Sequence, residues 1–340
     1  MNAKLPPAVR VHGGPDQYGT PLHDFSTNSH ACGPCPDAQA AVGRADATRY
    51  PDASYTDLRW QLAAFHGVGA ERVVLAASAS EFIFRITAWV AQQGGRAVWL
   101  PPHSYGDYAQ AARAHRLASV LEAGDASLLW ACEPSSPLGA AHARLAGLVD
   151  DHAATAPLVL DRAYEPLRLS SALALTAAQL QTVWQLWTPN KALGLTGVRA
   201  AYAIAPVGAE EAAIALDQLS PSWPVGAHGV AMLQAWTGRD VQTWLADSLH
   251  TLREWKAAQI ALCESLGWSC LPSDANFFCA RPALPHGLSL QEALARLRAQ
   301  GIKLRNTASF GLPGHVRISV QSPAAQKALA AAWSVFCASN

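Results

Sequence analysis

The sequence predicts an α/β protein in which helices flank a mainly parallel sheet, with a smaller α+β domain towards the C-terminus. From about residue 71, short apolar runs alternate with helical segments, a pattern typical of parallel strands covered on both faces. The runs that we interpret as strands are 73–76, 97–100, 128–131, 158–160 and 182–186. Polar residues follow these runs, and ligands of such sheets lie beyond the carboxyl ends of the strands. We therefore expect the functional site along that edge.

The other elements follow from periodicity and from helix-breaking residues. The first 40 residues are rich in Gly, Pro, His and Asp and predict an irregular arm rather than a packed element. Helices are expected at 55–66, 81–90, 105–115 and 290–298, a long helical stretch to about 266, and strands at 276–280, 302–305 and 316–320. We expect an arm over 1–40, a large domain over 41–235 and a small domain over 236–340, with the boundary inside a helix.

The composition excludes several classes of partner. The 340 residues contain 25 Lys plus Arg and 25 Asp plus Glu, so no overall field attracts nucleic acid or an acidic membrane. No apolar stretch is long enough to span a membrane, and the N-terminus has no apolar core of a signal peptide. These features predict a cytoplasmic protein with no nucleic-acid or membrane partner.

The seven cysteines are an odd number and are scattered, which argues against a disulfide framework. One pair, Cys32-Gly-Pro-Cys35, has the spacing of thioredoxin-like redox sites. Little strand character precedes this pair, Pro36 follows it at once, and no second pair completes a zinc site. A redox role is therefore the minor alternative, and no metal is expected.

The segment 186–199 contains one lysine between a hydroxyl residue and a glycine-punctuated turn. Lys191 in this setting could supply the amine that condenses with a carbonyl group. Thr188 and Arg199 could hold the phosphate of a cofactor attached to that lysine, and the two glycines would allow close approach of the backbone. The alternative is an exposed loop lysine beside a structural arginine.

Other residues at the strand ends fit pyridoxal phosphate, whereas the glycine motifs of nucleotide-binding proteins are absent. Ser78-Ala79-Ser80 at a helix start offers backbone N–H groups to an anion. Tyr105 could stack on an aromatic ring, and Asp161 could pair with a pyridinium nitrogen and make the ring an electron sink. Tyr164 could donate a hydrogen bond to the ring hydroxyl. Each residue alone also has a structural explanation, but their joint order favours this cofactor.

On these motifs the chain resembles the fold-type I pyridoxal-phosphate enzymes of the class I/II aminotransferase group over nearly its whole length. The segment 191–199 is similar to their lysine-to-arginine motif, and Asp161-Arg-Ala-Tyr164 to their Asp-x-Ala-Tyr motif. The resemblance implies a homodimer in which Tyr50 reaches the cofactor phosphate of the neighbouring subunit. It also implies that Arg317 binds a substrate carboxylate and Arg305 a second substrate anion.

Within this group the chain resembles histidinol-phosphate aminotransferases and, more closely, the L-threonine-O-3-phosphate decarboxylases of cobalamin biosynthesis. The features that favour the decarboxylases are His12-Gly-Gly14, Asp24-Phe-Ser-Thr-Asn28 and Trp223-Pro-Val225. They imply substrate contacts for His12 and Asn28, and a simple Gly-Pro turn at 32–35.

Three positions depart from the family pattern. Ser136 stands where an Asn usually bonds the ring hydroxyl of the cofactor, Asn190 replaces the usual hydroxyl residue, and His30 replaces a second Asn of the arm. Tyr164 could carry more of the role of the missing Asn.

The resemblance therefore implies decarboxylation of L-threonine O-3-phosphate to (R)-1-amino-2-propanol phosphate, with a small anionic amino acid as the substrate. The alternative is an aminotransferase for histidinol phosphate or another amino acid. A third interpretation is a ligand-binding or partner protein that has lost catalysis, because the turn at Ser136 is altered.

Overall fold

The computed structural model describes residues 12–338, and the side chains of residues 12–335. Its strands are β1 (His23–Asp24), β2 (Val73–Ala76), β3 (Ala97–Trp99), β4 (Ala118–Val120), β5 (Leu128–Cys132), β6 (Leu158–Asp161), β7 (Trp184–Trp187), β8 (Ala201–Ile204), β9 (Ser269–Cys270), β10 (Phe277–Arg281), β11 (Ile302–Lys303), β12 (Arg305–Asn306) and β13 (Val316–Ser319). Its helices are α1 (Pro36–Gly43), α2 (Thr56–His66), α3 (Ala79–Gln92), α4 (Gly106–Ala114), α5 (Leu145–His152), α6 (Ala177–Leu180), α7 (Glu210–Gln218), α8 (Ala227–Trp236), α9 (Arg239–Ser265), α10 (Leu290–Ala299) and α11 (Pro323–Ala338). Within the described chain, no helix combines the length and apolar character needed to cross a membrane.

The expected parallel sheet has seven strands in the order β2-β8-β7-β6-β5-β3-β4. Neighbours from β7 to β4 pair in parallel, whereas β8 is antiparallel to both β7 and β2. All strands except β8 therefore end at the same edge. The apolar run 200–205 contains β8, which follows the segment 186–199 that carries Lys191, called the lysine segment below.

Helices cover both faces of this sheet, as predicted. One face packs on α3, α4 and α7 through Phe82, Ile86 and Leu216. The opposite face packs on α1, α2 and α8 near β2 and β8, and on α5 near β5 and β6. Because both faces are buried, the strands carry continuous apolar runs rather than an alternating pattern.

The C-terminal region contains an antiparallel sheet in the order β12-β13-β10-β9. Its core includes Phe278 and Ile318 of the sheet and the α11 residues Leu329 and Trp333. The expected long helical stretch is two helices that separate at Gly238. The first half of α9 contributes to the large core and its last turns to the C-terminal core. The domain limits drawn from the sequence stay a prediction.

The N-terminal segment packs more tightly than its composition indicates. The strand β1 pairs in parallel with β11, and Phe25 is fully buried in the C-terminal core. Asp16 forms ion pairs with Arg298 at 2.8 Å and Lys303 at 3.0 Å. Hydrogen bonds to these two cations hold the pKa of the Asp16 carboxyl well below its usual range. The prediction of an unpacked arm was therefore wrong for these residues, because long-range partners supply the order that local composition does not.

The Cys32-Gly-Pro-Cys35 turn packs against the lysine segment. The Cys35 N–H donates to the Leu193 carbonyl at 2.9 Å, and a Cβ at Gly194, where φ is +68°, would lie 2.7 Å from the Gly33 oxygen. Burial raises the pKa of both thiols, which disfavours reactive thiolates. The turn is therefore structural, and the redox alternative gains no support.

His30 joins the arm to two other segments. Its backbone N–H donates to the Lys191 carbonyl at 3.0 Å. Its ring Nε2 lies 2.9 Å from Ser248 Oγ of α9. Its Nδ1 accepts from the Cys32 N–H at 3.2 Å, so the ring is held neutral with the proton on Nε2. Burial lowers the pKa of His30 to about 4.

Replacement of Gly194 by Ala tests the contact between the turn and the lysine segment. We expect Gly194→Ala to lower the free energy of unfolding by on the order of 2–4 kcal/mol, because it combines a left-handed backbone with a steric overlap. Gly197→Ala in the same loop is the control, since no atom lies within 4 Å of its added Cβ. Urea unfolding monitored by tryptophan fluorescence compares the two, and equal losses would contradict this packing.

His30 also predicts a pH dependence of stability. Between pH 6.5, the pKa of His30 in the unfolded chain, and about pH 4, its pKa in the native protein, only the unfolded chain binds a proton at His30. The free energy of unfolding therefore falls as the pH falls through this range. From pH 7 to pH 5 this loss is at most about 2 kcal/mol. His30→Asn should remove that part of the loss, whereas His228→Asn on an exposed part of α8 should not. Urea unfolding at both pH values measures the difference, and identical pH profiles for all three proteins would refute it.

Candidate active site

A small cavity of about 100 Å³ lies at the carboxyl edge of the seven-stranded sheet. Most of the residues that the sequence predicts to bind the cofactor line it: Ala79, Ser80, Tyr105, Ser136, Asp161, Tyr164, Thr188, Lys191 and Arg199. They come from the loops after β2, β3, β5, β6 and β7. The parallel topology brings these distant segments together because all five strands end at this edge.

Asp161 is the last residue of β6 and is buried in the cavity wall. Its carboxylate accepts hydrogen bonds from Tyr108 Oη at 2.6 Å and from the Ala163 N–H at 2.9 Å. Burial raises the pKa of this carboxyl, although the two hydrogen bonds and the nearby Lys191 charge act in the opposite direction. Among the described residues, none forms an ion pair with it. A cationic group bound in the cavity would favour the ionised form.

The sequence reasoning missed Tyr108, which directs the Asp161 carboxylate. Its ring stacks on Trp130 with centroids 4.3 Å apart, and burial raises the pKa of its hydroxyl, so it stays a donor. The signal available in the sequence was a second tyrosine one helical turn after Tyr105. The two rings lie 5.8 Å apart, edge to face.

One end of the cavity is suited to an anion. Helix α3 begins here, with Ser78 as its N-cap accepting from the Glu81 N–H at 3.1 Å. The N–H groups of the first turn therefore face this end with the positive end of the helix dipole. Ser80 Oγ lies 3.3 Å from Tyr105 Oη, and Arg199 stands exposed at the rim.

Lys191 and Tyr164 face each other in the cavity, with Lys191 Nζ 5.3 Å from the Tyr164 ring centroid. Tyr164 is held edge to face by Phe277, with centroids 4.7 Å apart. Thr188 Oγ1 donates to Asn190 Oδ1 at 2.9 Å, and the Asn190 amide reaches the Val198 carbonyl at 3.3 Å. Asn190, a departure from the family pattern, therefore closes the loop that presents the lysine.

These residues fit pyridoxal phosphate. Asp161 offers a buried carboxylate to the pyridinium nitrogen, Lys191 an amine to the aldehyde, and the start of α3 with Arg199 a cradle for the phosphate. Tyr105 lies in the same wall, where a ring can stack on it. The cofactor would supply an electron sink for a bond broken at the α-carbon of an amine substrate.

A larger cavity of about 770 Å³ adjoins the small one and shares Tyr105, Tyr164, Lys191 and Arg199 with it. Arg305 of β12 and Arg317 of β13 stand opposite each other across the antiparallel pair and both line this cavity. Arg305 is only 5% exposed and Arg317 only 7%. Burial, together with the neighbouring Arg317 charge, lowers the pKa of Arg305 to about 10. Two cations buried side by side favour an anionic ligand.

Contacts with two oxygen atoms set the orientation of the Arg317 guanidinium group. Its Nη2 donates to the Ser26 carbonyl at 2.9 Å, and its Nη1 lies 3.4 Å from Ser136 Oγ. In the part of the chain that the structure describes, no carboxylate pairs with Arg317, and its Nε has no hydrogen-bond partner. Ser136, expected beside the cofactor ring, thus lines the small cavity and also contacts Arg317 of the larger cavity.

The arm contributes His12 and Asn28 to the larger cavity, as expected. Asn28 is 2% exposed, and neither atom of its side-chain amide has a hydrogen-bond partner in the described chain. A buried amide without partners costs free energy, so a polar ligand that bonds to it would be favoured. His12 is exposed at the rim.

Tyr50 lines neither cavity. It is 76% exposed and stacks on Trp223 with centroids 4.3 Å apart. The Trp223 indole N–H donates to the Pro51 carbonyl at 3.1 Å, which fixes the two aromatic residues as one exposed unit. The expected role of Tyr50 in a neighbouring subunit stays a prediction. Other lining residues that sequence reasoning missed are Cys132 in the small cavity and Asp107, Gln110, Arg113, Ser309 and Phe310 in the larger one.

Comparisons with known proteins identify the family of this chain. The sequence model of the family "Aminotransferase class I and II" matches residues 22–332. A histidinol-phosphate aminotransferase of Ruegeria sp. (strain TM1040) is 30% identical over 334 residues, covering 91% of this chain and 89% of that protein. One from Jannaschia sp. (strain CCS1) is 28% identical over 323 residues, covering 88% and 87%.

Solved structures share the fold. The histidinol-phosphate aminotransferase of Sinorhizobium meliloti, in complex with pyridoxal 5'-phosphate, superposes with a TM-score of 0.80 at 22% identity, covering 95% of this chain and 92% of that chain. The L-threonine-O-3-phosphate decarboxylase of Porphyromonas gingivalis superposes with a TM-score of 0.77 at 20% identity, covering 93% and 100%. With the family match over most of its length, the chain belongs to the class I and II aminotransferases, has the fold-type I architecture, and uses pyridoxal 5'-phosphate as its cofactor.

Proposed function

We propose that this enzyme decarboxylates L-threonine O-3-phosphate to (R)-1-amino-2-propanol phosphate. The carboxylate on the α-carbon is lost as carbon dioxide. The observation that carries the proposal is the pair of buried arginines, Arg305 and Arg317, in the cavity that also contains Lys191. This substrate has two anionic groups, a carboxylate and a phosphate, on adjacent carbon atoms. Paired guanidinium groups offer forked donors to both kinds of anion.

In this proposal Arg317 holds the substrate carboxylate, and Arg305 holds the phosphate with help from the arm residues His12 and Asn28. The Asn28 amide would gain the partners that the described part of the chain does not provide. Ser26 and Ser136 fix the direction of Arg317 before substrate binds, which reduces the entropy lost on binding.

The residues around the cofactor would act on the α-carbon of the substrate. When bound, pyridoxal phosphate accepts the electron pair of the bond that breaks there. Asp161, held by Tyr108, stabilises positive charge on the ring nitrogen, and Lys191 Nζ delivers the proton that replaces the lost carboxylate. Because these residues share one cavity, a catalyst is favoured over a protein that has kept only ligand binding.

The second candidate is transamination of histidinol phosphate or another amino acid, because the relatives at 28–30% identity are histidinol-phosphate aminotransferases. Transamination breaks the Cα–H bond instead of the bond to the carboxylate, and Lys191 Nζ would move that proton. Histidinol phosphate has no carboxylate, so Arg317 would then serve the amino-acid or oxo-acid partner of the reaction.

We further propose a homodimer in which Tyr50 approaches the neighbouring subunit's cofactor phosphate. Its exposure and its stacking on Trp223 place the phenol outside its own subunit's cavity, where it is accessible to a second copy.

Product analysis distinguishes the two reactions. With L-threonine O-3-phosphate and no oxo acid, we expect release of carbon dioxide and aminopropanol phosphate, which mass spectrometry detects. Lys191→Ala should abolish this release. If the wild-type protein releases no carbon dioxide but consumes histidinol phosphate when 2-oxoglutarate is present, the decarboxylase proposal fails and the aminotransferase replaces it.

Replacement of Arg317 by Lys tests the anion site. The lysine keeps the charge but loses the forked geometry, so we expect kcat/KM to fall on the order of 10²-fold. Arg281→Lys, on an exposed position of the same four-stranded sheet, should change kcat/KM less than twofold. Steady-state kinetics with the accepted substrate compare both variants, and an unchanged Arg317→Lys enzyme would exclude Arg317 from substrate binding.

A further inference from the structure

The segment 307–312, which we call the Phe310 turn, connects β12 to β13 and reaches into the larger cavity. Its centre is a 3-10 helix, Ala308–Phe310, and it carries two of the cavity-lining residues, Ser309 and Phe310. Thr307 is fully buried, and its Oγ1 lies 2.7 Å from the Leu312 carbonyl and 2.8 Å from the His315 carbonyl. The turn is therefore compact, and it stands beside both arginines of the site.

Phe310 covers the two arginines. The centre of its ring lies 4.6 Å from the Arg305 guanidinium carbon and 5.7 Å from that of Arg317. Ser309 Oγ accepts from Arg305 Nη2 at 2.7 Å. An aromatic face attracts a guanidinium group and excludes water from it, which strengthens the hydrogen bonds that the group makes to an anion. The position of the Phe310 turn therefore sets the position and the hydration of both cations.

One side chain from the large sheet contacts this turn. His103, in the loop after β3, places its Nδ1 2.8 Å from the Phe310 carbonyl. Because a carbonyl oxygen can only accept, Nδ1 carries the proton in this contact. The backbone of Gly311 approaches the same imidazole, since a Cβ added there would lie 3.5 Å from Nδ1. The loop after β3 also carries Tyr105, which lines both cavities, so this contact joins the cofactor side of the site to the substrate side.

We propose that His103 is a positioning residue for substrate binding, which holds the Phe310 turn over Arg305 and Arg317 through its hydrogen bond to the Phe310 carbonyl. His103 touches neither the substrate nor the cofactor in this role. The inference rests on the proposed function of the two arginines as the binding site of the substrate's anionic groups. It does not depend on whether the enzyme decarboxylates or transaminates.

The test measures binding of a dianion that cannot react. Succinate has two carboxylates and no amine, so calorimetric titration of the pyridoxal-phosphate-loaded protein reports the arginine site without turnover. Loss of one neutral hydrogen bond predicts a Kd about 3- to 10-fold higher in His103→Ala. With the accepted substrate, KM should rise by the same factor while kcat stays within about twofold, a split that general loss of structure would not produce.

An isosteric pair of variants separates the hydrogen bond from the shape of the side chain. Asn can place its Nδ2 near the position of the imidazole Nδ1, so His103→Asn should bind succinate within about twofold of the wild type. His103→Asp has the same shape but presents a carboxylate to the Phe310 carbonyl, and should bind at least as weakly as His103→Ala. His228→Ala, on the exposed side of α8, is the control and should bind as the wild type does.

Each outcome bears either on the role of His103 or on the role of the two arginines. If the wild type binds succinate and His103→Ala binds it equally well, the positioning role is overturned while the arginine site stands. If Arg317→Lys binds succinate as tightly as the wild type, the arginine site itself fails, and the inference with it. If His103→Ala does not fold, equal binding by the Asn and Asp variants overturns the proposal.

Discussion

Two backbone hydrogen bonds fasten the lysine loop to the N-terminal segment, and the geometry of the active site depends on them. The carbonyl groups of Lys191 and Leu193 accept from the N–H groups of His30 and Cys35. Gly194 permits this contact because any side chain there would overlap the Gly33 backbone. A loop between strands is usually among the more variable parts of a fold. Here the backbone of Lys191 is held in place because a remote segment is paired with it.

The paired arginines impose the opposite kind of constraint, because two like charges are buried side by side. Arg305 and Arg317 repel each other in a poorly hydrated place, which is the reason for the lowered pKa of Arg305. The two oxygen atoms that contact Arg317 are neutral, and no carboxylate pairs with it within the described chain. Burial of two like charges costs stability locally, and an anion bound between them would offset that cost.

Much of this site could be predicted from the sequence, for a physical reason. Asp161, Lys191 and the Ser78 cap follow strands directly, and parallel topology brings strand ends together without further information. Tyr108, His103 and Phe310 were not predicted, although Tyr108 lies one helical turn after Tyr105, because the contacts that give them a role join residues 53 to 207 positions apart. The order of the N-terminal segment was missed for the same reason, as Phe25 is buried by partners near residues 302–329.

The short stretch from Asp24 to His30 also connects the C-terminal region to the central sheet. Asp24 is joined to the C-terminal region by its pairing with Lys303, and His30 is joined to the lysine loop. Six residue steps separate these anchors, and a fully extended chain of that length spans about 20 Å at most. Separation of the C-terminal region from the central sheet is therefore bounded while both anchors hold. The residues between these anchors are also held by the C-terminal region, since the Ser26 carbonyl accepts from Arg317 and the Ser29 carbonyl accepts from Asn276. Any such movement would therefore act on Asn28, whose side-chain amide lines the larger cavity and has no hydrogen-bond partner in the described chain.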